Sequence, residues 1–571
     1  MRWINFISKY YFTLQGGEVS IKLQKENQDW INDFVNKYKR PPRILHISNV
    51  ANNAYNNAKL LNKVGLVNHV IAYNDYYAMA CPEWEDADFT NEVTDMWHPE
   101  WSSYNLNDFI RPRWFAQGDL STCISYLMAL CDNKREKAES LFITMANKNK
   151  CIYVQHVKKE MSQAQINLIM TLTKKIFLAL LVIAWRTILR GLTKVDSRFN
   201  TIMVSRLMRI RKLAQSEPDQ TSVIESVEEK KIIYGKWEQD DYLVAEFKKE
   251  FPERKDQLSE KDFINYFFSR PGMRNLLNYY DIVIGYATEG VYPMMFGKPY
   301  FVFEHGTIRD IPYAQDPQAR LCALTYRKAK HAFVTNFDCV PSADFLIPGK
   351  YSVINHPYDE DQPLSINENW KQEQNGLLQE LQANMILFHP TRQDWVEGTG
   401  YADKANDIFL RAFASLRQKG LRLGLVCCEW GANIDESKKL IDQYGVSEHV
   451  RWMKPLGVIA YTRMCKMANI VVDQFKLGGF GGVTFKALAA GTPVMAYVNV
   501  QQISSRYAEL PPVINCQTEA EITHQLSYWY NRRSELEELG MSGRAWMKKF
   551  HNKSETVNIQ IEQFRRHFPV N

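Results

Sequence analysis

The part of this 571-residue chain that most restricts its fold runs from an apolar stretch, Ile470-Val-Val472, into a glycine-rich turn. Asp473-Gln-Phe-Lys-Leu leads to Gly478-Gly-Phe-Gly-Gly482, residues 483–490 carry a helical pattern, and Thr492-Pro-Val-Met-Ala496 reads as the next strand. A strand that ends in glycines and opens a helix suits an anion. Backbone N–H groups approach closely where no side chain intervenes, and the helix N-terminus adds partial positive charge. In an open parallel sheet, the carboxyl ends of the strands are where ligands collect. Glycines alone serve equally well as an unliganded turn, so the surroundings have to decide.

Those surroundings are α/β throughout. Arg43-Ile-Leu-His-Ile-Ser-Asn-Val50 is an apolar run of strand length, a helical pattern then ends near Gly65, and residues 66–73 read as a second strand. Asp281-Ile-Val-Ile-Gly-Tyr286, Tyr300-Phe-Val-Phe303 and His331-Ala-Phe-Val-Thr335 continue the series. After a polar, acidic linker at 356–376, a second series begins with Met385-Ile-Leu-Phe388 and continues through 421–428, 450–453, 470–472 and 492–496. The economical reading is two Rossmann-like parallel-sheet lobes with a cleft between them. We expect a leader at 1–42, a first lobe at 43–360 with a helical basic insertion at about 130–275, a second lobe at 361–545, and a C-terminal helix at 546–571 that packs back on the first lobe.

Length and composition agree, since 571 residues exceed one hydrophobic core and a 45% apolar share supports packed domains. Ten cysteines without regular spacing argue against a disulfide framework or a structural zinc site and favour a reducing cytoplasm. The first 17 residues lack the unbroken apolar stretch of a signal peptide.

The glycine turn, a helix ending Ala-x-Ala-x-Gly and the following Thr-Pro-Val together resemble the donor-binding signature of glycosyltransferase family 4. The resemblance extends to Asn355-His-Pro-Tyr-Asp359, placed like that family's Asn-Gly-Val-Asp hinge, and to Lys404-Ala-Asn-Asp407, placed like its Lys-Gly-x-Asp helix start. It implies a GT-B fold and retaining, metal-independent transfer of a sugar from a nucleotide-sugar, which is a co-substrate, with no other cofactor. Carried over by position, Arg392 and Lys404 grip the donor diphosphate, with Gly479, Phe480, Gly481 and Gly482 forming the turn beneath it. Two fixed cations and a helix N-terminus would stabilise the departing diphosphate without a metal. Asp86-Ala-Asp88 has the spacing of a metal clamp but lies in an acidic run of the first lobe.

One departure from the family is chemical. Its two glutamates, eight positions apart, are here Gly478 and Lys486, so a carboxylate that accepts hydrogen bonds from hydroxyls has become an ammonium that only donates. Either the donor is held differently, with Lys486 on a phosphate or hydroxyl oxygen and Asp473 or Glu429 as acceptor, or catalysis is lost.

In the first lobe, Phe303-Glu-His-Gly-Thr-Ile-Arg-Asp310 resembles the family's cleft-histidine position, where His305 would contact the transferred sugar or a nearby phosphate, oriented by Glu304 or Asp310. The plainer alternative is a histidine that ties down its own loop. Asn52 and Asn53 occupy the first-lobe turn and either bind acceptor or phosphate or cap the next helix. Trp84 and Trp114 either stack on sugar faces or anchor the core.

Residues 148–212 hold fourteen basic side chains against two acidic ones, a net +12 where the whole protein carries +6. Within this segment, Ile176-Phe-Leu-Ala-Leu-Leu-Val-Ile-Ala-Trp185 is too short to span a bilayer. Flanked by Lys174, Lys175 and Arg186, it reads either as an interfacial helix giving residues 174–212 peripheral contact with anionic membrane at the inner surface, or as a buried helix. Nucleic acid is not expected, because aromatic residues are not interleaved with the charges. A membrane-directed transferase would take a glycan or lipid-linked acceptor. The alternatives are a nucleotide-sugar epimerase of the same fold or an inactive scaffold.

Overall fold

The computed structural model describes residues 21–73, 75–89, 91–148, 238–362, 370–396, 403–479 and 481–570. Phe480, the apolar run at 176–185 and nearly all of the basic segment lie outside the described residues.

Seven strands form the first sheet: β1 (Arg43–Ile47), β2 (Val67–Tyr73), β3 (Phe115–Gly118), β4 (Ile282–Tyr286), β5 (Phe301–Glu304), β6 (His331–Val334) and β7 (Tyr351–Val353). Their order is β3-β2-β1-β4-β5-β6-β7, with every pairing parallel. The second sheet holds β8 (Met385–His389), β9 (Leu423–Cys428), β10 (Val450–Met453), β11 (Ile470–Val472), β12 (Val494–Ala496) and β13 (Ile514–Asn515), in the order β10-β9-β8-β11-β12-β13, again all parallel. The chain is thus two Rossmann-like lobes in the GT-B arrangement. The strand order reverses between β1 and β4 in one lobe and between β8 and β11 in the other, and a crevice opens at such a point beyond the carboxyl ends.

The sequence shows the inner strands because parallel sheets are covered on both faces and their strands are continuously apolar. Met385, Ile386, Leu387 and Phe388 are all fully buried. β3, β7 and β13 escape that reading: they are edge or near-edge strands of two to four residues, too short to show a period. The described flanks of the insertion, helices Arg135–Lys148, Glu238–Glu250 and Arg270–Leu277, belong to the first lobe, where Phe142, Phe247 and Phe251 join its core.

The chain crosses between the lobes twice, and the crossings are bolted together. The first passes through Asn355, whose amide oxygen accepts from Tyr507 Oη at 2.8 Å and whose nitrogen donates to Phe550 O at 3.2 Å. The second ends in helix Lys553–His567, which lies on the first lobe with Phe564 against Phe301 and Phe333. Between them the buried Lys553 ammonium donates to Asp359 at 2.5 Å and to Asp361 at 2.7 Å, and Lys63 reaches Asp359 at 2.9 Å. Burial alone would push the Asp359 carboxyl up, but Lys63 and Lys553 outweigh it and hold the group well below its usual value of 3.8. A depressed carboxylate contributes stability that is complete above its unfolded pKa and is lost as pH falls through the folded one. Thermal unfolding followed against pH should therefore show Asp359→Asn with a lower midpoint at pH 7 and a shallower decline below about pH 4. Parallel curves for variant and wild type would contradict this.

Candidate functional site

The second lobe supplies cations. Immediately after β8, Thr391, Arg392 and Asp394 form a tight loop, with Arg392 Nη1 at 3.1 Å from Asp394 and its guanidinium 5.9 Å from the Trp430 ring centroid. The loop is held from below by a buried relay. Asn406 Nδ2 donates to His389 Nε2 at 2.8 Å, His389 Nδ1 donates to Val472 O at 3.0 Å, and Asn406 Oδ1 accepts from the Asp394 N–H. These bonds require the neutral ring, and burial lowers the His389 pKa to about 4. The sequence gives no pattern that marks His389, because its partners, Asn406 and Val472, come from two separate segments.

Lys404 enters through the same loop. Its N–H donates to Asp394 O at 2.7 Å, its carbonyl accepts from Phe475 N at 3.0 Å, and Ala405 follows at φ 51°. The Lys-Gly-x-Asp signature that this segment resembles has glycine at that position. A left-handed alanine costs about 1 kcal/mol or more, and such strain collects where a structure holds a functional group in place. The Lys404 side chain is half-buried, and its ammonium forms neither a hydrogen bond nor an ion pair with the described residues. Its pKa is lowered, chiefly by burial; Asp473 opposes that effect, while Arg392 and Arg309 add to it.

The glycine turn completes this side. Gly481 precedes helix Gly482–Ala490, whose N-terminus faces the crevice beyond β11. Asp473 is buried, accepting from Thr391 Oγ1 at 3.0 Å and Thr484 Oγ1 at 2.6 Å. It therefore pins the turn to the Arg392 loop, with each carboxylate oxygen already accepting one bond. Glu429 accepts from Lys438 at 2.6 Å and Lys454 at 2.8 Å. Gly478 has φ 71°, and a Cβ there would lie 3.0 Å from both Asn499 Cβ and the Tyr497 ring, so a glutamate at this position would be strained and crowded. Lys486 lies on the helix with its ammonium 6.0 Å from the Phe485 centroid and without an ion pair among the described residues.

The first lobe answers across the cleft. Glu304 is fully buried at the end of β5, and its carboxylate accepts from the N–H groups of Gly306 and Ile308 and from Tyr326 Oη. It shapes the loop and is not the group that orients His305. The His305 ring has no partner at Nδ1 among the described residues, and burial first, then Arg309, lowers its pKa to about 4. It is a neutral ring with an unused nitrogen at the cleft. Asp310 points to solvent, and the residue that reaches the second lobe is its neighbour. Arg309 forms a two-bond pair with Asp338, and a Cβ on Gly479 would lie 3.9 Å from Asp338 Oδ1. No local sequence pattern marks this pair, whose members lie 29 residues apart.

Asn52 and Asn53 spend their amides within the loop. Asn52 donates to Cys81 O and accepts from Asn49, and Asn53 donates to Val50 O. Neither caps helix Asn53–Asn62 through its side chain; Asn49 Oδ1 instead takes the Tyr55 N–H at 2.9 Å. Asp86 and Asp88 part company as well, Asp86 binding Lys59 at 2.6 Å and Asp88 pairing with Arg463 of the second lobe at 2.9 Å. Trp84 and Trp114 are buried and belong to the core.

Residues 398–505 match the family model described as "Glycosyl transferases group 1", a span that takes in the Lys404 loop and the glycine turn and leaves the first lobe unmatched. No curated protein matches the sequence. Among solved structures, HepE from Anabaena in complex with UDP-glucose is similar at 14% identity and a TM-score of 0.41, over 52% of this chain and 82% of that one. Sucrose-phosphate synthase from Thermosynechococcus elongatus reaches 15% and 0.42, over 54% and 80%. UDP-GlcNAc 2-epimerase from Neisseria meningitidis bound to UDP-GlcNAc reaches 12% and 0.35, over 55% and 83%. At such values the likeness carries no argument about what this chain binds.

Proposed function

We propose that this chain is a nucleotide-sugar glycosyltransferase whose donor diphosphate rests on Lys404, Arg392 and the N-terminus of helix Gly482–Ala490. The observation that carries this reading is Lys404, a half-buried ammonium without a partner among the described residues, its pKa lowered chiefly by desolvation, held by a strained loop beside a second cation. Such a group is costly until an anion arrives. A diphosphate supplies the charge, and its negative charge grows as the sugar leaves, so the contacts strengthen toward the transition state.

The reaction we propose is retaining and independent of metal. The bond from the sugar's anomeric carbon to the diphosphate oxygen breaks, a bond from that carbon to an acceptor hydroxyl oxygen forms on the same face, and the hydroxyl proton passes to the departing oxygen. His305, neutral near pH 7, offers one N–H to the transferred sugar or the adjacent phosphate. Gly478 leaves no carboxylate on the turn, and Asp473 and Glu429 are already engaged, so the ribose is held by another route, with Lys486 donating to it. The acceptor is a glycan or lipid-linked glycan, and the basic segment at 174–212 brings the enzyme to anionic membrane on the cytoplasmic side.

An epimerase is the second reading, favoured by Glu289. This half-buried carboxyl, raised in pKa by desolvation, takes the Tyr73 hydroxyl near the carboxyl ends of β2 and β4. Incubating the full chain with radiolabelled nucleotide-sugars and a membrane lipid extract separates the readings. Label moving into lipid or glycan supports transfer. A changed nucleotide-sugar with no acceptor product supports epimerisation, and no nucleotide binding at all sinks both.

A further inference from the structure

Trp97 is the most exposed large apolar side chain among the described residues, at 69%. It is not loose. Asp95 Oδ1 accepts from the Trp97 and His98 N–H groups at 2.8 and 2.9 Å, and Ala78 N donates to Met96 O at 2.7 Å, fastening the loop to the segment that follows β2. The indole lies 4.8 Å from the Tyr77 ring centroid at 45°, and Tyr76 stacks on His98 at 6.1 Å beside it. Tyr77 is within electrostatic reach of Arg392 of the second lobe, so this aromatic ledge overlooks the proposed diphosphate site from the acceptor side. Asp75 takes the Tyr77 N–H and lies near Glu289, and burial pushes its carboxyl up.

We propose that Trp97 and Tyr77 form a platform for a sugar ring of the acceptor, with Asp75 accepting from its hydroxyls, so that the acceptor is a carbohydrate gripped through a sugar residue. A pyranose has an apolar C–H face and a rim of hydroxyls, and an aromatic plane edged by a carboxylate matches both. An acyl chain or an apolar peptide fits poorly, because the exposed neighbours of Trp97 are Glu92, Thr94, Asp95, His98 and Glu100. The proposal rests on the transferase reading for its role, though not for its binding chemistry.

The test uses the full chain on an array of defined immobilised oligosaccharides, with UDP, ADP and GDP binding measured in parallel by calorimetry. Wild type should bind a subset of glycans, Trp97→Ala should weaken that binding by about tenfold or more, and Trp97→Phe should stay within about threefold. Phe268→Ala, at an exposed aromatic elsewhere on the first lobe, should match wild type, and nucleotide binding should be unchanged in Trp97→Ala. The proposal is overturned if wild type binds no glycan, if Trp97→Ala binds like wild type, or if Trp97 instead drives binding to phosphatidylglycerol vesicles. Glycan binding lost in Trp97→Ala while wild type binds no nucleotide would leave the platform standing and remove the transferase reading.

Discussion

Replacing Lys404 with Met is expected to move stability and binding in opposite directions. In the unliganded protein the half-buried Lys404 lies beside Arg392 and near Arg309, with Asp473 and Asp338 in opposition. Its folded-state pKa is therefore below the usual 10.5. The cost is full below the folded pKa and is relieved as pH rises from there toward the unfolded value. Methionine is close in length and apolar. Lys404→Met should raise the melting temperature by about 2–4 °C, as expected for roughly 1 kcal/mol in lobes of this size. Nucleoside diphosphate affinity should fall by about 2–5 kcal/mol, roughly 30-fold to more than 1,000-fold, because a desolvated phosphate loses its charged partner. Calorimetry with UDP, ADP and GDP, alongside thermal denaturation, reads both. A variant that is less stable yet binds nucleotide normally would mean that Lys404 is structural and the phosphate site lies elsewhere.

The largest loss of stability should come from Arg111→Met. Arg111 is buried, with Nε and Nη2 on the two oxygens of Glu83 at 2.8 and 2.6 Å and Nη1 on Gln117 Oε1 at 2.5 Å. Removing the guanidinium leaves the Glu83 carboxylate in a site that is 2% exposed, and stranded charges of this kind cost about 3–5 kcal/mol. Glu83 lies in the short helix Pro82–Asp86, which packs against helix Val458–Met467 of the second lobe, so the damage should also reach the cleft. A Glu83→Leu, Arg111→Met double variant should recover much of the denaturant midpoint, since replacing both charges by apolar groups is often neutral or better. Failure of the double variant to recover would place the cost in packing and not in the pair.

These two cases show where the sequence is readable. Lys404 and Arg392 stand out as cations beside a glycine turn, because the chain order β8, loop, helix is local and carries its own signature. Glu83 and Arg111 also stand out, as charges in two aromatic runs, but their pairing depends on β2 and β3 lying side by side, and β3 is only four residues long. The same distance hides the Arg309–Asp338 pair, whose members follow different strands. Asp310 is more conspicuous in the sequence and points away. Trp84 and Trp114 are as aromatic as Trp97. Only packing separates the two that fill the core from the one that meets water.

The sequence alone determined the tandem α/β lobes, the glycine corner and the cations beside it, because strand hydrophobicity, helix periodicity and turn glycines act over a few residues. The tertiary structure decided which polar groups remain free. Asp473, Glu429, Glu304, Asn52 and Asn53 find partners within the fold, and Lys404 finds none among the described residues. Partnership is settled by burial and by contacts between distant segments, and these exist only once both sheets have formed.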